Sequence, residues 1–258
     1  ETFSTNVMGV VNVLEAIRQT DYTLSVVNVT SDKCYENQNS VWGSRESDIL
    51  GGADPYSSSK ACSELISNSY RRSFFTNKNN TKQKVRLATV RAGNVIGGGD
   101  WSENRIVPDC VQAWMHGDIL KIRSPNATRP WQHVLEPLCG YLKLAQALYE
   151  RKTGFDEAWN FGPGNNDVYS VQDIVKIMSE FWGDLAKWEL DYDFNTEEAN
   201  YLKLDASKAK AKLGWSVILD IETAIKYTVD WYKNYQINPD TIGSKTFQQI
   251  DGYISNMT

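Results

Sequence analysis

Apolar residues follow two spacings along the chain, one typical of helices and one typical of buried strands. Over residues 6–19 they recur every three or four positions, which predicts an amphipathic helix. Residues 24–29 and 85–90 are short β-branched runs bounded by polar residues, a pattern typical of strands in a parallel sheet. Between these strands, Pro55 stands at a first-turn position and predicts a helix over 55–75.

The order helix, strand, helix, strand predicts an α/β fold with a doubly wound parallel sheet. Ligands bind beyond the carboxyl ends of the strands in such sheets, so Ser31 and Asn94, which follow the two strands, are expected at one edge. Beyond Gly97 the regular alternation of helices and strands gives way to loops, short strands and helices, which predicts a smaller α/β lid. We therefore divide the chain into 1–97, for the sheet, and 98–258, mainly for the lid, with some segments that return to the sheet. The other predicted elements are a polar loop at 76–84 and helices at 106–116, 137–150, 171–182, 206–213 and 221–235.

Charge and composition exclude several functional classes. The net charge of −5 argues against nucleic acid as a partner, because non-specific binding to it needs a concentrated basic face. No segment approaches the roughly 18 apolar residues of a membrane span, so we expect a soluble protein with no membrane partner. The cysteines show no spacing typical of a metal site or a disulfide framework, so we expect no metal and a reducing, cytoplasmic location. They are Cys34, Cys62, Cys110 and Cys139.

Tyr56 and Lys60 are the first candidates for catalysis. Residues four apart on a helix share one face, and a lysine held there favours the phenolate form of the tyrosine, which can then act as a general base. The Tyr56–Lys60 spacing alone is weak evidence for catalysis, since an exposed lysine beside a half-buried tyrosine also arises by chance. Ser31 strengthens it, because a doubly wound sheet would bring the end of its strand close to the start of the Tyr56 helix.

Five segments together resemble the extended branch of the short-chain dehydrogenase/reductase family that modifies nucleotide sugars. They are N-V-M-G-V-V-N-V-L-E-A (6–16), S-D-K-C-Y (31–35), D-P-Y-S-S-S-K (54–60), R-A-G-N-V-I-G-G-G-D-W (91–101) and R-P-W-Q-H-V (129–134). The resemblance implies a Rossmann-like sheet, NAD as cofactor, and a nucleotide-sugar-binding lid. It also implies a homodimer or homotetramer in which the helices at 6–19 and 56–75 form the interface.

The residues after Ser31 separate the chemistries within this branch. Epimerases only oxidise and re-reduce carbon 4 of the sugar, whereas 4,6-dehydratases carry two further acid–base groups, usually Asp-Glu. Here the pair is Asp32-Lys33, which resembles the CDP-glucose 4,6-dehydratases, as does the segment 124–137. The resemblance implies CDP-glucose as substrate and makes the following residues catalytic: Ser31, Asp32, Lys33, Tyr56 and Lys60.

The roles within this set follow from the chemistry of the groups. Asp32 is the candidate acid for the hydroxyl that leaves carbon 6. Lys33 has two possible roles: if buried and neutral it removes the carbon 5 proton, and if charged it stabilises the enolate while another group takes that proton. Without the other matches, Asp32-Lys33 would be read as an ion pair at a strand end.

The resemblance also assigns ligand contacts. Arginine binds diphosphate through its planar fork, although a single arginine is more often a solvated surface charge. The implied substrate contacts are Asn94, Arg105, Arg123 and Arg129. The implied cofactor contacts are Thr5, Tyr56, Lys60 and the backbone of Val95.

One expected motif is missing from the sequence. No G-x-G-x-x-G follows a strand, and Gly97-Gly98-Gly99 comes after a late strand rather than at the first strand-to-helix turn. Because Glu1 already lies close to a helical pattern, we expect the first strands and most of the NAD site to precede residue 1. Two other interpretations stay open, namely an NAD-dependent epimerase or decarboxylase of the same fold, and an inactive relic of a truncated gene.

Overall fold

The computed structural model describes residues 1–20, 22, 24–36, 42–75, 85–164, 169–191 and 203–257. The chain divides into two compact units. The first comprises Glu1–Gly93, Pro137–Gly162 and Lys203–Ser216, and the second comprises Asn94–Glu136, Pro163–Leu202 and Val217–Thr258. The predicted loop at 76–84 lies outside the described residues. The assignment of 1–97 to the cofactor and 98–258 mainly to the substrate stays a prediction.

Short strands and longer α-helices follow one another along the chain. The strands are β1 (Ser25–Val29), β2 (Arg86–Ala92), β3 (Val95–Ile96), β4 (Ile119–Ile122), β5 (Thr128–Arg129), β6 (Gln132–His133), β7 (Ala158–Phe161), β8 (Tyr169–Ser170) and β9 (Lys187–Leu190). The α-helices are α1 (Gly9–Arg18), α2 (Pro55–Tyr70), α3 (Ile106–His116), α4 (Leu135–Tyr149), α5 (Val171–Trp182), α6 (Ser207–Leu213), α7 (Ile221–Ile237) and α8 (Ile242–Ser255). Short π-helical segments, Ser4–Met8 and Arg71–Phe75, precede α1 and follow α2.

The first unit contains a parallel sheet in the order β1-β2-β7. The pairing runs from Ser25 opposite Arg86 to Val29 opposite Val90, and Ala92 lies opposite Phe161 at the end of β7. The central strand is buried at Leu87, Ala88 and Val90, as expected for a strand covered on both faces. The α/β fold class with a parallel sheet is therefore confirmed.

Helix α1 packs on this sheet through the positions that the apolar spacing predicts. Leu14 is buried against Leu87, and Val10 and Ile17 pack against the same cluster together with Val26 of β1. Burial of this stripe supplies most of the attachment, because short helices gain their stability from packing rather than from propensity.

Strand β7 and helix α8 are among the elements whose positions were not predicted from the sequence. Strand β7 reads A-W-N-F, which has no β-branched residue, and it forms because Trp159 and Phe161 are completely buried beside β2. Helix α8 contains Gly243 and Gly252, which weaken its helical signal. It is held by Tyr253, whose hydroxyl donates to the buried carboxylate of Glu136 at 2.9 Å.

The second unit consists of two-stranded pairs and helices. Strands β3 and β6 pair in parallel, as do β4 and β9, while β5 and β8 are antiparallel. The glycine-rich turn after β3 serves packing, because a Cβ on Gly98 would lie 2.1 Å from the indole ring of Trp231 in α7. In the described part of the chain, no helix is long and apolar enough to cross a membrane.

The close contact between α4 and β7 yields a stability prediction. A Cβ on Gly140 would lie 2.2 Å from Cε1 of Phe161, so the Gly140→Ala substitution forces the buried ring or the helix to move. We expect it to lower the free energy of unfolding by about 1–3 kcal/mol, measured by urea denaturation.

Gly9→Ala is the matched control for this substitution. No atom lies within 4 Å of a Cβ on Gly9 in α1, so the higher helix propensity of alanine should raise the free energy of unfolding by up to about 1 kcal/mol. A Gly140→Ala protein as stable as the wild type would contradict the packing of α4 on β7.

Candidate active site

The carboxyl end of β1 turns directly into the first group of candidate residues. The Thr30 N–H donates to the Val90 carbonyl at 2.8 Å, which extends the β1–β2 ladder by one bond. Ser31 then begins a single 3₁₀ turn, Asp32–Cys34, by accepting the Lys33 N–H on Oγ at 3.2 Å. Its hydroxyl donates to Asp32 Oδ1 at 3.1 Å. The turn buries Asp32, which is 5% exposed, and leaves Lys33 exposed.

The second group lies at the start of α2. Asp54 caps this helix, since its Oδ1 accepts the Ser57 N–H at 3.0 Å and its Oδ2 accepts the Ser57 hydroxyl at 2.5 Å. These hydrogen bonds hold the pKa of Asp54 below its usual range. Pro55 occupies the first turn, where its fixed φ suits a helix and its missing N–H has no cost. The cap and the proline together fix the start of the helix one residue before Tyr56.

The structure brings Tyr56, Lys60 and Lys33 together. The Lys60 Nζ lies 6.0 Å from the centroid of the Tyr56 ring, and the Lys33 Nζ lies 5.9 Å from it. Both distances are within the range in which a cation is attracted by an aromatic face. Tyr56 is 43% exposed, so an external ligand can reach it. One tyrosine is thus flanked by two ammonium groups, from the helix and from the strand end.

The two lysines differ in their surroundings. Lys60 is half-buried, and this burial lowers its pKa. Its ammonium group donates no hydrogen bond to another described residue, so its donors are available to a ligand. Lys33 is exposed to solvent.

Thr5 lies on the exposed side of the π-helical segment before α1. The adjacent Asn6 donates from Nδ2 to the Ser59 hydroxyl at 3.0 Å, and its carbonyl accepts the Ser63 hydroxyl at 2.8 Å. Thr5 therefore directly precedes Asn6, whose side chain is hydrogen-bonded to Ser59, the residue before Lys60.

In the second unit, the side chains of Arg105 and Arg123 both contact the loop at 100–105, which precedes α3. The Arg105 Nη1 lies 3.3 Å from Asp100 Oδ2, and the Arg123 Nη2 donates to Asn104 Oδ1 at 3.2 Å. Both arginine side chains are exposed. Two of the three predicted diphosphate contacts thus lie around one loop, 100–105.

Two of the remaining candidates of the second unit, Asn94 and Val95, are joined to Gln132 by backbone hydrogen bonds and strand pairing. The carbonyl of Asn94 accepts the Gln132 N–H at 3.1 Å, and Val95 pairs with Gln132 in the β3–β6 ladder. Arg129 lies in β5, three residues earlier, and donates from Nη1 to the Thr128 carbonyl at 2.8 Å. The roles predicted for all of these residues stay predictions.

Glu64 and Arg91 are not among the residues singled out from the sequence, although both lie close to them. Glu64 follows Lys60 by one helical turn, and Arg91 is in β2 near its carboxyl end. They form an ion pair with 2.9 Å between Arg91 Nε and Glu64 Oε1, and both side chains are 3% exposed. A signal was present in the sequence, because a charged residue within the buried strand L-A-T-V-R-A requires a partner.

Comparison with known proteins identifies similar sequences. The family model described as GDP-mannose 4,6 dehydratase matches residues 1–228. The chain is 48% identical over 259 residues to the CDP-glucose 4,6-dehydratase of Salmonella typhimurium, covering 100% of this chain and 72% of that protein. It is 27% identical over 244 residues to a trifunctional enzyme of Arabidopsis thaliana that includes UDP-glucose 4,6-dehydratase, covering 92% of this chain and 33% of that protein.

Solved structures share the fold at lower identity. The dTDP-glucose 4,6-dehydratase of Bacillus anthracis, in complex with NAD, has a TM-score of 0.74 and 22% identity, covering 90% of this chain and 68% of that chain. The UDP-glucuronic acid 4-epimerase of Bacillus cereus has a TM-score of 0.74 and 18% identity, with the same shares covered. Dehydratases and epimerases share this fold, so fold alone does not choose between the two reactions.

The burial of Lys60 yields a prediction about stability. Its lowered pKa means that the charged form is less favourable in the folded state than in the unfolded state. Lys60→Met removes this cost, so we expect the free energy of unfolding at pH 7 to rise by up to about 1 kcal/mol. At pH values between the lowered pKa and the ordinary lysine pKa, the unfolded wild type binds more protons than the folded wild type. The free energy of unfolding of the wild type therefore rises with pH, and the difference in stability between Lys60→Met and the wild type narrows.

Urea denaturation at pH 7 and at about pH 10 measures both effects. Lys33→Met is the matched control, because Lys33 is exposed and its replacement should change stability by less than about 0.5 kcal/mol. A Lys60→Met protein that is less stable than the wild type at pH 7 would show that the ammonium group is stabilising.

Proposed function

The chain belongs to the GDP-mannose 4,6 dehydratase family, and we propose that it converts CDP-glucose to CDP-4-keto-6-deoxyglucose with loss of water. The observation that carries the proposal is the Asp32-Lys33 pair between Ser31 and the Tyr56–Lys60 helix start. The 48% identity to a CDP-glucose 4,6-dehydratase covers the whole of this chain, so the pair lies within the matched region. The reaction is that of a hydro-lyase.

The residues around Tyr56 fit a nicotinamide cofactor, NAD. Lys60 has a half-buried ammonium group with no hydrogen bond to another described residue, which suits the hydroxyls of the nicotinamide ribose. Thr5 and the backbone of Val95 are proposed as further contacts. When bound, NAD supplies the acceptor for the hydride of carbon 4 and the donor of the hydride that carbon 6 receives, so it is not consumed.

Tyr56 is the proposed base for the carbon 4 hydroxyl. Two ammonium groups, at 5.9 and 6.0 Å from its ring centroid, attract the negative charge that proton loss leaves on the phenol. Ser31 is half-buried and carries the hydroxyl proposed to share a hydrogen bond with the same sugar oxygen. Together these groups remove the proton while the carbon–hydrogen bond at carbon 4 is broken.

Asp32 and Lys33 serve the loss of water. Asp32, the proposed acid for the carbon 6 hydroxyl, is 5% exposed and accepts the Ser31 hydroxyl on Oδ1 at 3.1 Å. Lys33 is exposed, which supports the charged role over the neutral one. It therefore stabilises the enolate that forms when another group takes the carbon 5 proton.

The second unit supplies the proposed contacts of the nucleotide sugar. Arg105, Arg123 and Arg129 are proposed to bind the diphosphate, since each carries the planar donor fork that suits it. Asn94 is the proposed contact for the sugar or its phosphate.

We also propose a homodimer or homotetramer and a cytoplasmic location. Helices at 6–19 and 56–75 form the proposed interface, and Val13 and Leu65 on them are exposed by 58% and 57%. All the cysteines are free thiols, which suits a reducing compartment.

The function is tested on the protein encoded by the full reading frame that contains this chain, with NAD⁺ and CDP-, UDP-, GDP- or dTDP-glucose. We expect a 4-keto-6-deoxy product from CDP-glucose. Tyr56→Phe should lower kcat by about 10²–10⁴, because the base is lost. Lys33→Arg should keep more activity than Lys33→Met, because only the former keeps the charge.

Tyr149→Phe, at an exposed tyrosine of α4, is the control and should leave kcat unchanged. No product from any of the four substrates would overturn the dehydratase assignment and favour the epimerase or the inactive relic. Equal activity of Lys33→Arg and Lys33→Met would overturn the charged role of Lys33.

The arginine proposal is tested by kinetics. Arg105→Ala should raise KM for CDP-glucose about tenfold or more with a smaller change in kcat, because a charged hydrogen bond contributes about 1.5–3 kcal/mol. Arg45→Ala is the matched control, since Arg45 is also an exposed arginine paired with an aspartate, Asp205, at 2.9 Å. An unchanged KM in Arg105→Ala would remove Arg105 from the substrate contacts.

A further inference from the structure

The carboxylate of Glu64 is buried and accepts four hydrogen bonds. Its Oε1 accepts the Thr30 hydroxyl at 2.5 Å and the Arg91 Nε–H at 2.9 Å. Its Oε2 accepts the Thr89 hydroxyl at 2.6 Å and the Arg91 Nη2–H at 2.9 Å. Burial alone would raise the pKa of Glu64, but the hydrogen bonds and charge of Arg91 hold it below the usual range. The carboxylate is thus ionised and its acceptor capacity is filled.

The guanidinium of Arg91 extends this network to Tyr35. Its Nη1–H donates to the Tyr35 hydroxyl at 2.5 Å, and that hydroxyl donates to Asn160 Oδ1 at 2.8 Å. The guanidinium carbon also lies 4.7 Å from the centroid of the Tyr35 ring. Tyr35 is therefore fixed both by its ring and by its hydroxyl.

The sequence positions of these partners matter for the active site. Thr30 immediately precedes Ser31, and Tyr35 follows Cys34, so both ends of the segment 31–34 are bound to one ion pair. Glu64 itself lies on α2, one turn after Lys60. The same pair thus connects the segment that carries Ser31, Asp32 and Lys33 to the helix that carries Tyr56 and Lys60.

Apolar packing alone does not fix the position of α2 on the sheet, because most of its buried residues are polar. The buried residues of this helix include Ser57, Ser59, Ser63 and Ser67. Apolar contacts of α2 include those of Ile66 and Tyr70, which pack against the cluster around Leu14 and Leu87, and directional hydrogen bonds add to them. Hydrogen bonds such as Asn28 Nδ2 to the Ser67 hydroxyl, at 2.9 Å, supply this fixation, and Glu64 adds four bonds at one point.

Stability alone does not explain a buried ion pair at this position. Desolvation of both charges offsets much of their attraction, and apolar residues of similar volume often stabilise a core as well or better. An apolar pair would not fix the orientation of its side chains, whereas each of the four hydrogen bonds to Glu64 fixes an angle as well as a distance.

We propose that Glu64 and Arg91 are positioning residues for the dehydration reaction, which hold the 31–34 segment and the start of α2 in the mutual geometry that proton transfer requires. This inference rests on the proposed function. The pair is buried, with both side chains 3% exposed, and acts through Thr30, Tyr35 and the body of α2.

Tyr35→Phe tests the proposal with the smallest change, since it removes one hydroxyl and keeps the ring. In the full-length protein we expect kcat for CDP-glucose to fall about tenfold or more with KM within about twofold, because a misplaced catalytic group slows the chemical step. A larger deuterium isotope effect on kcat with carbon 4-deuterated substrate, and a displaced pH profile of kcat, should accompany the loss. Glu64→Gln should show the same changes to a greater degree.

Tyr253→Phe is the matched control. Like the Tyr35 hydroxyl, its hydroxyl donates to a buried side-chain oxygen, here Oε2 of Glu136 at 2.9 Å. We expect it to lower the melting temperature by an amount similar to Tyr35→Phe, without changing the isotope effect or the pH profile. If Tyr35→Phe matches Tyr253→Phe in all three readouts, the role of the network is structural only and the proposal is wrong.

Hydrogen–deuterium exchange tests the positioning without any need for activity. The Cys34 and Tyr35 N–H groups donate to the carbonyls of Ser31 and Asp32, so loosening of this segment should speed their exchange in Tyr35→Phe and Glu64→Gln. Unchanged exchange in folded variants would overturn the proposal. If the wild type fails to turn over CDP-glucose, the proposed function is wrong, and exchange still decides whether the pair holds the segment.

Discussion

The ion pair between Glu64 and Arg91 is the constraint on which the arrangement of the first unit depends. A buried charge in a strand has a large desolvation cost, and Arg91 is tolerated because helix α2 supplies the carboxylate of Glu64 2.9 Å away. Once that pair forms, the helix can take few other positions, since the hydroxyls of Thr30, just after β1, and Thr89, in β2, also donate to the carboxylate. The sheet, the helix and the turn after β1 are therefore determined together.

Local spacing predicted the parts of the fold that depend on nearby residues. Helices α3 and α5 begin and end where the apolar periodicity places them, and the one-face arrangement of Tyr56 and Lys60 follows from four-residue spacing on a helix. Strand β7 was missed because its A-W-N-F sequence becomes a strand only through burial beside β2, a contact between distant parts of the chain.

The candidate site shows the same division. The sequence indicated that Ser31 and Tyr56 belong together, but the approach of the Lys33 ammonium to the phenol depends on the turn that Ser31 caps. The roles of Thr30 and Tyr35 were equally inaccessible, since their partners are 34 and 56 residues away in the chain. Periodicity does not reveal such pairings, although the charge of Arg91 inside β2 was a visible sign that one existed.

The two ammonium groups beside Tyr56 differ in a way that reaches beyond the chemistry of a single step. Lys33 is open to solvent, where dissolved ions surround a charge within about 10 Å at 0.1 M salt, whereas Lys60 is half enclosed by protein and is shielded less. The field at the phenol therefore has one component that follows the salt concentration of the surroundings and one that is set by the fold. Added salt should therefore weaken the contribution of Lys33 to the field at Tyr56 more than it weakens that of Lys60.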